Sequence, residues 1–236
     1  MTTPQQALAR AAARNNAEWC AVMSRAHGVA SAFGGEAWAA ARRTPVYYPD
    51  AVTLAPGADP EALVARIDTS SPGASVKDGF ADLELTGAGF RVLFEAEWIH
   101  RASGVPVSPP DLAWEVVRDP DALREWALAW DGGGGNADLF GPGLLDEPET
   151  FVLAGRSADG RVTVGAVACR SSHVVGVSNV FGPPDAAWPL VLHAAGRLFP
   201  ALPVVGYERG DDLTAALRYG FEAVGPLRVW VHERPA

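Results

Sequence analysis

The stretch 204–230 constrains the fold of this chain more than any other. It begins with a short apolar run that is typical of a buried strand and continues with a segment of helical spacing that ends at Gly220-Phe221. A second apolar run, at 227–232, then predicts a closing strand. A strand, a short helix and another strand in this order predict an α/β domain.

The residues before this stretch show the same alternation and add a hairpin. Asp159-Gly160 separates two alternating runs, which is a strong signal for a tight hairpin turn. Asp119 precedes a helical pattern, as an N-cap residue does. The predicted elements are a strand at 114–118, a helix at 120–130, strands at 150–155, 161–169 and 173–181, a helix at 186–199, a strand at 202–207 and a helix at 212–219.

The N-terminal half carries weaker signals. Its pattern predicts helices at 4–27 and 36–42, an extended segment at 46–54, and a helix that Asp59-Pro60 opens and that runs to 67. Alternation between 75 and 99 predicts a hairpin with one apolar face. A stretch at 104–110 with three prolines is the best linker. We therefore predict two domains, 1–105 and 111–236.

Composition excludes several classes of protein. Hydrophobic residues make up 48% of the chain and eight residues are Trp, so a sizeable core can form. The net charge of −9 disfavours a nucleic-acid partner. Two distant cysteines suggest neither a disulfide framework nor a metal site, and no apolar run is long enough to span a membrane. The N-terminus lacks a signal-peptide pattern, so we expect a cytoplasmic protein, and whether it forms a homodimer stays open.

The order of elements over 112–233 resembles the GCN5-related N-acetyltransferase superfamily. The most specific pieces are the strands Gly165-Ala-Val-Ala and Val177-Ser-Asn-Val-Phe181 and the helix end Tyr219-Gly-Phe221. The resemblance implies an α/β fold whose mixed, mostly antiparallel sheet is flanked by helices. It also implies that the N-terminal half is a truncated second copy. The implied activity is transfer of an acyl group from acetyl-CoA or another acyl-CoA to an amine of a small molecule.

The same resemblance implies where the cofactor binds. Two neighbouring strands part above Asn179, and the cofactor-binding residues are Val177, Asn179, Phe181 and Gly182. The chain departs from the family pattern in the loop that follows. Pro183 and Pro184 have no N–H to donate to a pyrophosphate, and Asp185 adds a negative charge there. The position of the usual tyrosine acid is taken by Ala216, and the nearest tyrosine is Tyr219.

Three residues are candidates for the chemistry. Glu208 ends the strand at 202–207, where open α/β sheets bind ligands, and a carboxylate there could act as the general base. The alternative is a salt bridge to Arg209 or Arg218. Ser178 and Asn179 could position the acyl group, or they could satisfy backbone groups where the strands part.

Four further residues are candidates for substrate binding: Tyr48, Glu95, Glu97 and Tyr207. Glu95 and Glu97 are two apart on one predicted strand, so both project from one face and could bind a cationic amine. They could equally face solvent and pair with Arg91 or Arg101. Two other functions stay open. One is a ligand-binding protein that uses no coenzyme A, and the other takes the acyl group from a carrier protein or an aminoacyl-tRNA.

Overall fold

The computed structural model describes residues 3–233, which form two compact units. The N-terminal unit holds the residues up to Ile99 and those from Ala223 onward, and the C-terminal unit is His100–Glu222. The helices are α1 (Pro4–Ala26), α2 (Pro60–Val64), α3 (Pro120–Asp131), α4 (Pro184–Leu198) and α5 (Gly210–Arg218). The strands are β1 (Ser31–Phe33), β2 (Ala37–Ala40), β3 (Ala51–Thr53), β4 (Ser75–Asp78), β5 (Phe90–Arg101), β6 (Ala113–Val116), β7 (Thr150–Arg156), β8 (Val162–Arg170), β9 (Val175–Phe181), β10 (Val204–Glu208) and β11 (Glu222–His232).

The C-terminal unit is a mixed sheet with helices on both faces. Its strands lie in the order β10-β9-β8-β7-β6; β9 and β10 are parallel, and the other neighbours are antiparallel. A Cβ on Gly155 would meet Leu190 of α4, whereas one on Gly165 would meet Trp126 of α3. Because Val164, opposite Gly155, and Gly165 are consecutive in β8, their side chains point to opposite faces. The helices α3 and α4 therefore cover the two faces, which confirms the predicted fold class.

Local signals explain why these elements form where they do. Asp159-Gly160 turns the chain between β7 and β8, with Gly160 at φ 84° and a Ser157 N–H that donates to the Arg161 carbonyl at 2.9 Å. Asp119 caps α3 by accepting from the amide of Ala122 at 2.9 Å. These features confirm the predicted hairpin and the predicted N-cap.

The strands of the N-terminal unit lie in the order β1-β2-β3-β4-β11-β5. The strands β3 and β4 are parallel and are joined through α2, which Asp59 caps as predicted. The last strand, β11, comes from the other end of the chain and pairs with β4 from Arg228 to Val231. The predicted domain 111–236 includes this strand, whereas in the structure the strand belongs to the N-terminal compact unit.

Two predicted elements of the N-terminal half have a different structure. The predicted helix at 36–42 is the strand β2, whose four residues are buried between β1 and β3. Strand pairing overrides the helix propensity of its alanines. The predicted hairpin at 75–99 is also wrong, because β11 lies between β4 and β5. The chain after β4 folds back instead, and the carboxylate of Asp78 accepts from the amide of Leu83 at 2.9 Å.

No helix in residues 3–233 is long and apolar enough to cross a membrane. Within the same residues, no cluster of three or more His, Cys, Asp or Glu side chains could hold a metal ion. Cys20 and Cys169 are buried, and neither forms a disulfide within residues 3–233.

Candidate functional site

The strands β9 and β10 part after a short parallel contact. They pair only at Val175 with Val204 and at Gly176 with Val205, although β9 continues to Phe181 and β10 to Glu208. The ladder between the two strands therefore ends before residue 177 of β9 and residue 206 of β10. We call this gap, between 177–181 and 206–208, the split, and it lies where the sequence predicted it.

A β-bulge at Asn179 causes the split. Ser178 lies opposite Val167 in β8, but Phe181 lies opposite Gly165, so β9 has one residue more than β8 over this step. Asn179 has φ 53°, in the left-handed region that asparagine tolerates better than most residues. A bulge of this kind bends its strand and increases the local twist. The bend directs β9 away from β10.

Close packing on the α3 face holds the bent end of β9. The ring of Trp126 meets that of Phe181 edge-to-face at 5.3 Å, and its Nε1 donates to the Leu153 carbonyl at 2.8 Å. Gly165 leaves the room for this contact, because a Cβ there would be 2.3 Å from the Trp126 Nε1 and 2.5 Å from the Phe181 ring. Phe181, predicted to bind a cofactor, therefore packs against α3.

Glu208 provides the carboxyl group of the split. Burial, together with the nearby charge of Asp212 in the first turn of α5, raises the pKa of Glu208 to about 8. Among residues 3–233 nothing forms an ion pair with it, so neither predicted salt bridge, to Arg209 or to Arg218, is present. A carboxyl group with this pKa can gain and lose a proton near neutral pH, which suits a general base.

Backbone and hydroxyl groups of β9 add polar character to the split. The amide of Val175 donates to the Pro203 carbonyl at 3.0 Å, so it faces β10. Because backbone groups alternate along a regular strand, those of Val177 face the same way, up to the bulge at Asn179. Beside them, the Ser178 Oγ is buried and has no hydrogen-bond partner among the described residues. A buried hydroxyl of this kind is uncommon and is able to bind a ligand atom.

The first turn of α4 does not fit a pyrophosphate group. Pro183 and Pro184 have no N–H, and the amides of Ala186 and Ala187 both donate to the Pro183 carbonyl at 2.9 Å. Asp185 adds a carboxylate, which accepts from the Tyr219 hydroxyl at 3.0 Å. Burial and this hydrogen bond raise the pKa of Tyr219. The part of a coenzyme A that carries its phosphates therefore lacks its usual partners here.

The other predicted site residues are divided between the two units. Tyr207 is half-buried in β10, next to Glu208, and the exposed Gly182 follows β9 at φ 98°. Tyr48 is buried in the N-terminal unit, where its ring meets that of Trp19 edge-to-face at 5.9 Å.

Glu95 and Glu97 also belong to the N-terminal unit. The predicted partners of this pair, Arg91 and Arg101, make other contacts; Glu95 instead accepts from Arg228 at 2.9 Å. Partial burial raises the pKa of Glu97.

Two features of the site were not predicted. The first is the closeness of Asp212 to Glu208, which its position four residues later, at the start of a predicted helix, could have indicated. The bond between Tyr219 and Asp185 joins residues 34 positions apart, and no sequence pattern signals it.

Solved structures resemble this fold, although no family model and no curated protein matches the sequence. A GCN5-related N-acetyltransferase from Kribbella flavida is 17% identical at a TM-score of 0.60, and the match covers 95% of this chain and 96% of that one. A GNAT-family protein from Novosphingobium aromaticivorans is 17% identical at a TM-score of 0.57, over 92% and 96% of the two chains. A conserved protein of unknown function from Staphylococcus epidermidis is 11% identical at a TM-score of 0.54, over 74% and 77%. The chain has the fold of the GCN5-related N-acetyltransferases.

Proposed function

We propose that this protein is an N-acyltransferase that moves an acyl group from a thioester to an amine of a small molecule. The observation that carries the proposal is the carboxyl group of Glu208, which lies at the split and has a pKa of about 8. A thioester arm enters the split and forms hydrogen bonds with the edge of β9. The amine approaches from the end of β10, where Glu208 lies.

The reaction needs one proton acceptor and one group that binds the acyl oxygen. Glu208, in its charged form, takes a proton from the ammonium group, and the neutral amine attacks the thioester carbonyl carbon. A C–N bond forms and the C–S bond then breaks. The leaving thiolate takes the proton from the protonated Glu208, and the nitrogen of the new amide releases its remaining extra proton to solvent. The hydroxyl of Ser178 and the backbone at Asn179 hold the acyl oxygen, which becomes negative during the attack.

The first turn of α4 favours a donor that needs no pyrophosphate contact there. The carboxylate of Asp185 repels phosphate groups, and the amides that would bind them are missing or used. The same observation supports a second candidate function, a GNAT-fold protein that binds its ligand without coenzyme A.

Calorimetry with acetyl-CoA and with S-acetylpantetheine separates these functions. S-acetylpantetheine has the same thioester arm but no pyrophosphate. We expect the affinities of the two compounds to lie within about tenfold of each other, because the phosphates of acetyl-CoA add little binding free energy. We expect Asp185→Asn to strengthen acetyl-CoA binding alone. Tyr219→Phe is the matched control, since it keeps the Asp185 charge.

Each result has a clear meaning. If neither thioester binds, the acyltransferase proposal is wrong and the second candidate replaces it. If acetyl-CoA binds far more tightly than S-acetylpantetheine, the account of the α4 first turn is wrong.

We also infer that the N-terminal unit is a shortened copy of the C-terminal one. In the C-terminal unit β9 leads through α4 to the parallel strand β10. In the N-terminal unit β3 leads in the same way through α2 to β4. Each of the two parallel contacts is two residue pairs long. In the N-terminal unit no gap opens between the ends of β3 and β4, because the Thr53 hydroxyl accepts from the Gly79 amide at 2.8 Å. A Cβ on Gly79 would already be 3.0 Å from the Thr53 carbonyl. The chemistry therefore belongs to the C-terminal unit.

A further inference from the structure

Arg101 is a buried cation without a described acidic partner. It ends β5 and is 6% exposed. Its guanidinium donates to three backbone carbonyls: Nε to Tyr219 at 2.8 Å, Nη1 to Val105 at 3.2 Å and Nη2 to Pro106 at 3.0 Å. Arginine has five N–H donors, so two remain, one on each terminal nitrogen. Burial lowers the pKa of Arg101, and a bound anion would oppose that effect.

The chain after Arg101 encloses a cavity against α4. This cavity, which we call the linker cavity, has a volume of about 250 Å³ and is bounded by residues 101–107 and by the last turns of α4. Arg197 and His193 also line it, whereas no Asp or Glu does. Arg197 forms no ion pair within residues 3–233. In a chain of net charge −9, a cavity with only basic ionisable groups is a selective environment for an anion.

The rest of the cavity wall is apolar. Its side chains include Leu192, Phe199 and Val204. The ring of His193 meets that of Trp114 edge-to-face at 5.9 Å, which fixes the imidazole in the wall. A wall of this kind favours a ligand with an apolar body, and the guanidinium groups favour a carboxylate at one end.

We propose that the linker cavity is a second ligand site, separate from the split, that binds a small carboxylic acid with an apolar body. The carboxylate accepts from the two remaining N–H groups of Arg101 and lies near Arg197. The apolar body lies along α4. Bound there, the ligand joins the linker to α4, because Arg101 already holds the linker through Val105 and Pro106.

A neighbouring cavity of about 320 Å³ also touches Arg101, but it fits such a ligand less well. Arg218 is its one other basic residue, and it has neither His193 nor Arg197 in its wall. A substitution in this neighbouring cavity therefore serves as a control for the linker cavity.

The test measures binding of 4-phenylbutyrate to the full chain by calorimetry. The amine 4-phenylbutylamine, which has a similar apolar body but a positive charge, is the comparison compound. Gly196 lines the cavity, and a Cβ there would meet nothing within 4 Å, so Gly196→Phe adds a bulky ring to the cavity wall from an unobstructed Cβ. Gly196→Ala is the matched control, because it makes the same helix change without filling the cavity. Arg197→Gln removes one charge, and Arg218→Gln removes a charge from the neighbouring cavity.

We expect the wild type and Gly196→Ala to bind the acid and not the amine. Gly196→Phe should abolish binding, Arg197→Gln should weaken it about tenfold, and Arg218→Gln should leave it unchanged. The proposal is wrong if the wild type does not bind 4-phenylbutyrate or binds the amine equally well. It is also wrong if binding survives Gly196→Phe, or if Arg218→Gln weakens binding more than Arg197→Gln does. All four substitutions leave Arg101 in place, so a folding failure of the linker does not obscure the result.

Discussion

Replacing Glu208 by Gln should change how stability depends on pH. The folded state raises the pKa of Glu208 from its ordinary value of 4.5 to about 8, so it holds a proton that the unfolded chain releases between these values. The unfolded state then binds fewer protons, and the free energy of unfolding of the wild type falls as the pH rises through this range. Glutamine does not titrate in this range, so the stability of the variant does not fall with pH for this reason.

The size of the effect follows from the two pKa values. Each pH unit between them costs the folded state about 1.4 kcal/mol, so the interval from 4.5 to about 8 is worth about 5 kcal/mol. Between about pH 5 and pH 9, the wild type should lose about 4 kcal/mol of stability relative to Glu208→Gln. The variant should be the more stable protein above neutral pH.

Urea unfolding at a series of pH values measures this difference. Glu222→Gln is the matched control, because it removes a carboxylate from an exposed position at the start of β11. Parallel curves for the wild type and Glu208→Gln would refute the reasoning, since they would mean that Glu208 is charged and solvated in the folded protein. A difference of the opposite sign would mean that a cation stabilises its charged form.

Other substitutions test the packing around the split and the division into units. Gly165→Ala should destabilise the protein by about 1–3 kcal/mol in thermal unfolding, because its Cβ would overlap Trp126, and unchanged stability would contradict the close packing described. Asn179→Ala should cost about 1 kcal/mol more than Asn179→Gly, because Ala tolerates a positive φ poorly; equal effects would argue against the left-handed bulge. The fragment 1–105 should fail to fold cooperatively in circular dichroism melts, because it lacks the strand between β4 and β5, and a sharp melting transition would show that β11 is dispensable.

The C-terminal unit was largely predictable because its signals are local. Asp119 caps its helix and Asp159-Gly160 turns its hairpin wherever the rest of the chain lies. The strand β2 gave no such signal. All four of its residues are buried, so the alternation that marks a half-exposed strand is missing, and its alanines follow a helical pattern equally well. An apolar run also does not reveal its neighbours, so the sequence does not show that β11 lies between β4 and β5.

The split was predictable in position, but the electrostatics of Glu208 were not. Glu208 is predicted as a site residue because it ends a strand beside the split, and its role stays a prediction. Its pKa depends on burial and on Asp212, and these are properties of the folded chain. The bulge at Asn179 depends on the register of β9 against β8. The sequence of β9 alone does not determine that register.

The most direct test of the central claim is thiol release from S-acetylpantetheine in the presence of a panel of primary amines, measured with a colorimetric thiol reagent. The account predicts release that requires an amine, rises with pH to a plateau above about pH 8 as Glu208 loses its proton, and is lost in Glu208→Gln but kept in Glu222→Gln. Amine-dependent release that is independent of pH and equal in Glu208→Gln would contradict it.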